Sequence, residues 1–444
     1  MILYFNNYKY DTHKNIIAQL DYDFSNTPAQ EGFYNSDSHY KQSLDELYLS
    51  QNLKPNFDPI MIEEAGIAPT LNCGLRCNYC SQSSVDGILD TLSKEDIELF
   101  VREIIKKKVI ESFATEVSPS LSFIITGGGE PTYNWDLFTF TITIVESLCR
   151  ENDIKVDFSM TTNGILSDVQ RKFIAEHISD ITVSYDGTSD LQNSNRKLKN
   201  GKDSSEIVEK TISYLLNSKK VKVSIRSTVW HNNFAELKRM AVFIKDRFEG
   251  LSSWEIYPVV PAGRAIKAFL DSQNDMKQSN FVDYFLEIKE LFNNSKTKIR
   301  SPLLSHKFTG FQCGGIGSIA KSLWLTPKGK IVTCIDSSDI ITEIGYISNS
   351  TIQRPEHYED MLLNMGIKKY IECRECPAFP VCGSGCPIHH VREERYHTGM
   401  MKWACDMECY YWTYVLTQLV KNGEYENLSL IPTDDPNVFT IKEN

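Results

Sequence analysis

Three thiols in eight residues carry the most reactive chemistry in this sequence: Cys73-Gly-Leu-Arg-Cys77-Asn-Tyr-Cys80, a Cys-x3-Cys-x2-Cys spacing. A 4Fe–4S cluster has four irons and is normally held by four cysteine thiolates. Three close ligands therefore predict a cluster with one iron open to an outside ligand, suited to chemistry rather than electron storage. The alternatives are an incomplete zinc knuckle or three incidental core thiols. A second stretch is Gly127-Gly-Gly-Glu-Pro131, after the apolar run Phe123-Ile-Ile-Thr126. Glycines let a backbone approach a ligand closely, and Glu130 adds one carboxylate, which suits a ligand with an ammonium group. A phosphate loop fits poorly, because the acid repels phosphate and no Lys-Ser/Thr follows. A flexible turn is the plain alternative.

The elements that must hold these stretches show strand–helix alternation, the pattern of a parallel sheet with covering helices. Ile67-Ala-Pro-Thr-Leu leads into the cysteines. Strands are expected over Leu121–Ile125, Val156–Met160, Ile181–Ser184, Val221–Val229 and Trp254–Val260. Helices are expected from Ser93, over Phe138–Cys149, from Ser167, and over Ile207–Leu216, Phe234–Phe248 and Asn280–Phe292. Ser93 with Asp96, and Ser167 with Gln170, resemble capping boxes. Ile97, Phe100, Val101, Ile104 and Ile105 give the first helix one buried face, and Lys106-Lys-Lys108 suits its negative end. Counting the cysteine-bearing strand, six units emerge, two short of a closed barrel. The expected fold is α/β, a partial (β/α)6 barrel, followed by a small cysteine-rich domain with a β-hairpin. Sites in such folds form at the C-terminal strand ends. Cys73–Cys80, Gly127–Glu130, Thr162-Asn-Gly164 and Asp186-Gly187 all fall there.

The chain has 444 residues, enough for two domains and an extension, and carries 47 Lys plus Arg against 58 Asp plus Glu, a net charge of −11. That balance argues against nucleic acid. Arg196-Lys-Leu-Lys-Asn-Gly-Lys202 is a local basic run, read as a solvated loop or a contact for an anionic ligand or acidic peptide. No apolar run approaches the roughly 18–20 residues of a membrane span and no signal pattern opens the chain, so no membrane partner and a cytoplasmic location are expected. Eleven of the twelve cysteines lie in two blocks, Cys73–Cys80 and Cys313–Cys409, which points to metal binding rather than disulfides. Cys149 stands apart as a buried structural thiol.

Taken together, the cysteine loop and the Gly-Gly-Glu strand end resemble the radical S-adenosylmethionine (SAM) enzymes. The resemblance implies that Cys73, Cys77 and Cys80 ligate a 4Fe–4S cluster, with Tyr79 at the aromatic position of the loop. It implies that Gly128, Gly129 and Glu130 bind the methionine amino group of SAM, whose amino and carboxylate groups complete the open iron. One electron then cleaves SAM to methionine and a 5′-deoxyadenosyl radical, which abstracts hydrogen from the substrate. Ser184-Tyr-Asp-Gly187 followed by Arg196 resembles a segment of one large branch, with Ser184 on the ribose and Arg196 on the SAM carboxylate. Arg226 is a second carboxylate candidate. A strand-end turn and surface charges are the bland readings.

Downstream, Cys313 is followed by Gly329 and Cys334, then by Cys373-Arg-Glu-Cys376, Cys382, Cys386 and Cys405. This resembles the seven-cysteine pattern of the SPASM auxiliary-cluster domain, and Pro327-Lys-Gly329 reads as its hairpin turn. Carried over by position, Cys373, Cys376, Cys382 and Cys405 hold one 4Fe–4S cluster, and Cys313, Cys334 and Cys386 another. Cys409 either completes the latter or leaves one iron open to substrate. Three clusters are thus expected; zinc is the alternative for this block. His389, His390 and His397 are left unassigned as surface residues, and Tyr410, Tyr411, Trp412 and Tyr414 belong to a closing helix over Glu408–Val420.

The implied organisation is residues 1–66 as an N-terminal extension, 67–300 as the radical SAM core, 301–424 as the auxiliary domain and 425–444 as a tail. The extension, with a helix over Ser43–Asn52, is a small module that grips a leader peptide or a padding arm. The leading function is maturation of a ribosomally made precursor peptide by an oxidative carbon–carbon, carbon–oxygen or thioether crosslink, with flavodoxin or ferredoxin as reductant. The alternative is an anaerobic sulfatase maturase that makes formylglycine from Cys or Ser. Against it, the catalytic Asp of those enzymes directly follows the cysteine matching Cys334, where this chain has Ile335, with Asp336 one step on. A non-catalytic iron–sulfur or zinc scaffold is the alternative of another class.

Overall fold

The computed structural model describes residues 2–5, 8–11, 16–19, 62, 64–82, 90–273, 276–301, 304, 322–335, 343–353, 386–425, 428–433 and 438–443. Strands β1 (Ile2–Phe5), β2 (Tyr8–Asp11) and β3 (Ile16–Gln19) open the chain. Seven parallel strands then build the centre: β4 (Glu64–Ile67), β5 (Ser120–Ile125), β6 (Lys155–Thr162), β7 (Asp180–Ser184), β8 (Lys222–Val229), β9 (Ser253–Pro258) and β10 (Lys298–Arg300), side by side in chain order. Helices connect them: α1 (Lys94–Thr115), α2 (Trp135–Glu151), α3 (Asp168–His177), α4 (Ser189–Asn195), α5 (Ser205–Ser218), α6 (His231–Phe234), α7 (Leu237–Arg247), α8 (Ala265–Ser272) and α9 (Gln278–Leu291).

Alternation along the strands places Phe123 and Ile125 of β5, Phe158 and Met160 of β6, and Val223, Ile225 and Val229 of β8 in the core. Each such burial stabilises the fold by roughly 1.5–3 kcal/mol. Helix α1 covers the sheet with Ile97, Phe100, Val101, Ile104 and Ile105, as its periodicity predicts. Its start is capped by Ser93, whose side chain accepts from Asp96 N at 3.0 Å. The α3 capping box is complete: Ser167 N donates to Gln170 Oε1 at 2.8 Å, and Gln170 N to Ser167 Oγ at 3.3 Å.

Two expectations are corrected here. Helix α1 runs on to Thr115, so Lys106–Lys108 lies within it, not at its end. Lys108 is buried, donating to Ile62 O at 3.0 Å and pairing with Glu111 at 2.7 Å. The helix expected over Phe234–Phe248 is two, α6 and α7, interrupted at Ala235–Glu236.

The barrel is open, as six units require. The free edge of β4 is taken by β11 (Ser322–Leu325), which pairs parallel to it. Gly66 permits this close neighbour: a Cβ there would lie 2.4 Å from the Trp324 ring. Strands β12 (Lys330–Val332), β13 (Glu343–Ser348) and β14 (Thr351–Gln353) follow antiparallel, so the expected hairpin continues the barrel sheet to eleven strands. Helices α10 (Pro387–Tyr396) and α11 (Met400–Asn422) come next, and Tyr411 packs on Phe285 of α9. Tyr411 and Trp412 are core residues, whereas Tyr410 is exposed. The chain ends in β15 (Glu424–Tyr425), β16 (Leu428–Pro432) and β17 (Val438–Glu443). These join the opening strands in a second, antiparallel sheet ordered β1-β2-β3-β17-β16-β15. The extension and the tail thus share one sheet.

The Ser43–Asn52 helix, Cys313, Cys373, Cys376, Cys382 and Asp336 lie outside the described residues. Among the described residues, no helix is long and apolar enough to cross a membrane.

Candidate active site

The cysteine loop leaves the C-terminal end of β4 and is held on two sides by backbone hydrogen bonds. On one side lies the segment after α4: Arg76 N donates to Lys197 O at 2.8 Å, Asn78 N to Asn195 O at 3.1 Å and Lys199 N to Gly74 O at 2.8 Å. The basic run is therefore the scaffold of the loop. Its lysines Lys197, Lys199 and Lys202 point to solvent, while Arg196 turns inward. On the other side, Arg264 N donates to Cys80 O at 3.1 Å, tying in the Pro258–Ala265 segment.

The glycine loop after β5 packs directly on the chain that enters the cysteines. Gly129 N donates to Thr70 O at 3.0 Å and Glu130 N to Asn72 O at 2.8 Å. A Cβ on Gly129 would lie 2.1 Å from Asn72 O, and one on Gly128 2.2 Å from Leu71 Cδ2. Gly129 is thus demanded by contact with the protein's own backbone, and Gly128 is pressed by the Leu71 side chain. Glu130 is buried and already employed. Its Oε1 accepts from Thr132 N, Thr132 Oγ1 and Thr162 Oγ1 at 3.2, 2.7 and 2.8 Å, and its Oε2 accepts from Asn163 N at 2.7 Å. Burial pushes its pKa up against the pull of these donors. The carboxylate locks the ends of β5 and β6 together, and Oε2 retains room for one further donor.

Beneath the loop lies a buried charge cluster. Tyr79 donates its hydroxyl to Asp186 Oδ2, and Arg196 Nε donates to Asp186 Oδ1 at 3.1 Å. The Arg196 guanidinium stacks over the Tyr79 ring at 5.2 Å, and Trp230 meets that ring edge-on. Burial works against the Arg196 charge, but Asp186, Tyr79 and Cys77 outweigh it and hold its pKa well above the ordinary value. Burial pushes the Cys77 thiol up to about 12, with Arg196 opposing, and the Cys73 thiol up to about 11. Cys73 Sγ accepts from Leu75 N at 3.4 Å and Asn163 Nδ2 at 3.6 Å.

Ser184, Arg226 and Glu255 stand in register across β7, β8 and β9. Arg226 Nε donates to Glu255 Oε2 at 2.7 Å and stacks on Tyr257 at 5.3 Å. A cavity of about 170 Å³ opens here, lined by Tyr79 and Ser81 of the cysteine loop, Arg226, Thr228 and Tyr257 of the strand ends, and His389 and Arg392 of α10. His389 is buried rather than the surface residue expected of it.

The structure thus gathers Cys73, Cys77, Cys80, Tyr79, Gly128, Gly129, Glu130 and Arg196 at one end of the sheet, with Ser184 and Arg226 on the adjoining strands. Of the second cysteine block, Cys334 follows β12, Cys386 caps α10, and Cys405 and Cys409 sit one turn apart on α11, all half-buried. Asn163 and Asp186 are the site residues that sequence reasoning placed at strand ends without a role. Their signals were a polar turn closing a strand and a carboxylate two residues past the end of another.

The three thiols of the loop lie within electrostatic reach of one another. Such a donor set fits a multi-atom cluster with thiolate ligands and N–H donors to sulfur.

A parallel-sheet barrel with a three-cysteine loop at its C-terminal face defines the class. Residues 67–244 match the radical SAM superfamily model. That segment is similar to the superfamily, and the chain is an enzyme. A cysteine-type anaerobic sulfatase-maturating enzyme of Clostridium perfringens is 22% identical over 324 residues, 71% of this chain and 85% of that protein. The structure of anSMEcpe with bound AdoMet and Cp18Cys peptide matches with a TM-score of 0.61 at 18% identity, over 81% of this chain and 98% of that one. Streptococcus suis SuiB bound to precursor peptide SuiA matches at 0.53 and 15%, over 82% of each chain. These likenesses establish the shared fold.

Proposed function

We propose that this enzyme oxidises a residue within a ribosomally made precursor peptide, joining it to a second group of that peptide. The observation that carries the reading is the cavity where Tyr79, Ser81 and Arg226 meet His389 and Arg392. It lies between the cysteine loop of the barrel and the helix capped by Cys386, so a peptide side chain entering it would stand beside Tyr79 and Ser81 of that loop. Peptides bound to anSMEcpe and SuiB support a peptide substrate.

Cys73, Cys77 and Cys80 would hold the SAM-binding cluster, which with SAM and one electron from flavodoxin or ferredoxin supplies a 5′-deoxyadenosyl radical. The residues present do the remaining work. Glu130 ties the end of the Gly128–Gly129 loop to β6, and that loop with the remaining acceptor site of Oε2 would meet the methionine amino group of SAM. Arg226 offers the SAM carboxylate a cation at the cavity wall, and Ser184 stands in register for the ribose. Tyr79 covers the buried Asp186–Arg196 pair. Bond formation within the peptide removes two hydrogens. One leaves as a hydrogen atom to the radical; the other leaves as a proton, and its electron goes to a one-electron acceptor. Cys313, Cys334, Cys386 and Cys409, with Cys373, Cys376, Cys382 and Cys405, would hold two auxiliary 4Fe–4S acceptors, for roughly twelve irons per chain in all.

A second reading, formylglycine formation from cysteine, is favoured by the named function of the Clostridium perfringens relative. The test is anaerobic reconstitution with dithionite, SAM and either a short peptide encoded by a neighbouring reading frame or a sulfatase peptide. Mass spectrometry should show loss of two hydrogens with all heavy atoms retained on the precursor peptide. Replacement of a cysteine sulfur by oxygen on the sulfatase peptide alone would install the second reading instead. Cys73→Ala should abolish 5′-deoxyadenosine formation, and unchanged turnover would refute its ligand role. Iron well below about eight atoms per chain would defeat the three-cluster count.

A further inference from the structure

Asn163 has its backbone N–H and both side-chain polar atoms committed, and one of them reaches a proposed cluster ligand. Its backbone N–H donates to Glu130 Oε2 at 2.7 Å. Its side-chain Oδ1 accepts from Ile165 N at 2.9 Å. That bond decides the orientation of the amide, since a backbone N–H can only face the oxygen. Nδ2 is therefore turned the other way, and it lies 3.6 Å from Cys73 Sγ. The residue is nearly buried, at 8% exposure, and Gly164 beside it has φ +79°, so the chain turns away at once and leaves the side chain facing the cysteine loop.

Cys77, the next cysteine of the loop, is treated differently. Cys77 has the Arg196 charge as its stabilising neighbour, whereas Cys73 receives two N–H donors, from Leu75 and Asn163. Hydrogen bonds to sulfur draw electron density away from the iron and favour the reduced cluster, which is one of the means by which proteins set iron–sulfur potentials.

We propose that Asn163 is a positioning residue that donates to the Cys73 sulfur and raises the reduction potential of the SAM-binding cluster, with Glu130 acting through it. This rests on the reading that Cys73, Cys77 and Cys80 hold that cluster. Glu130 then serves two ends from one carboxylate: Oε1 ties down the strand-end threonines, and Oε2 fixes the backbone from which the Asn163 amide is aimed.

The test is a redox titration of the full-length, reconstituted enzyme. It is followed by electron paramagnetic resonance on the signal that changes when SAM is added, which separates this cluster from any other. Asn163→Asp keeps an oxygen for Ile165 N and removes the donor; Asn163→Leu removes it without adding charge. Both should lower the midpoint, with about a tenfold smaller equilibrium constant for reduction, or about 59 mV for one electron. Midpoints equal to wild type, with iron content and the SAM response retained, would overturn the proposal. If neither variant takes up the cluster, the wild type decides. Selective ¹⁵N-asparagine labelling should produce a nitrogen hyperfine coupling at the reduced cluster, and its absence overturns the proposal. No SAM-responsive signal in the wild type would instead count against the cluster reading itself.

Discussion

Two arginines stand near the cysteine loop, and both have the charge to meet a carboxylate, yet the fold uses them in opposite ways. Arg196 is sealed under the loop, 8% exposed, with its Nε on the fully buried Asp186 and its plane against Tyr79. Arg226 leans into a cavity with 38% of its side chain exposed, held at one nitrogen by Glu255. A buried cation with a dedicated anion is a structural joint, because separating the two strands a charge in a low dielectric. A half-exposed cation held at one edge retains donors for a ligand, because guanidinium offers five N–H groups. The comparison is the reason the proposed reading gives the SAM carboxylate to Arg226, with Arg196, where the sequence motif points first, as the rival.

Asp186→Asn breaks this comparison at its strongest point. It leaves Arg196 buried without its anion and Tyr79 without a charged acceptor. The expected loss is about 3–5 kcal/mol of stability, read from urea unfolding of the anaerobically purified protein. A loss below about 1 kcal/mol would show that the pair is as replaceable as a surface ion pair. Glu130→Gln comes next. An amide oxygen can keep the contacts at Oε1, but the amide nitrogen meets Asn163 N–H donor to donor. The expected cost is about 1–3 kcal/mol, with weaker SAM binding as the glycine loop loosens. Stability and affinity that both match wild type would mean the β5–β6 lock is dispensable.

Much of this arrangement was legible because it is local. Alternating burial in β5, β6 and β8 and the i, i+3, i+4 face of α1 are periodicities carried by consecutive residues, and the Ser167–Gln170 box spans one turn. The cysteine spacing belongs to the same class. What sequence could not announce depends on pairs far apart in the chain. Nothing in Lys106–Lys108 indicates that Ile62 O waits for an ammonium group 46 positions earlier. Nothing in Val438–Glu443 names β3 as its partner, because antiparallel pairing is decided by backbone groups that every residue carries. Glu130 shows the same limit inside the site. Its type suggested an open carboxylate for an ammonium group, and only the positions of Thr132, Thr162 and Asn163 reveal that the protein itself occupies most of its acceptors.

Arg226→Ala gives the smallest structural effect and the sharpest functional contrast. Its pair with Glu255 is partly exposed, so solvent screening limits the stability cost to about 0–1 kcal/mol, within the error of most unfolding curves. If Arg226 meets the SAM carboxylate, removing it takes away a charge-assisted hydrogen bond, worth about 1.5–3 kcal/mol. That predicts a Kd for SAM raised by roughly 10–150-fold, measured by calorimetry on the reconstituted enzyme. Arg226→Lys should recover part of the loss, since the charge returns without the planar fork. The opposite pattern, with SAM affinity intact in Arg226→Ala but lost in a folded, cluster-loaded Arg196→Lys, would return the carboxylate to Arg196. The burial of that residue would then have to relax on binding, because its Asp186 contact and its stacking on Tyr79 leave little of the guanidinium facing outward.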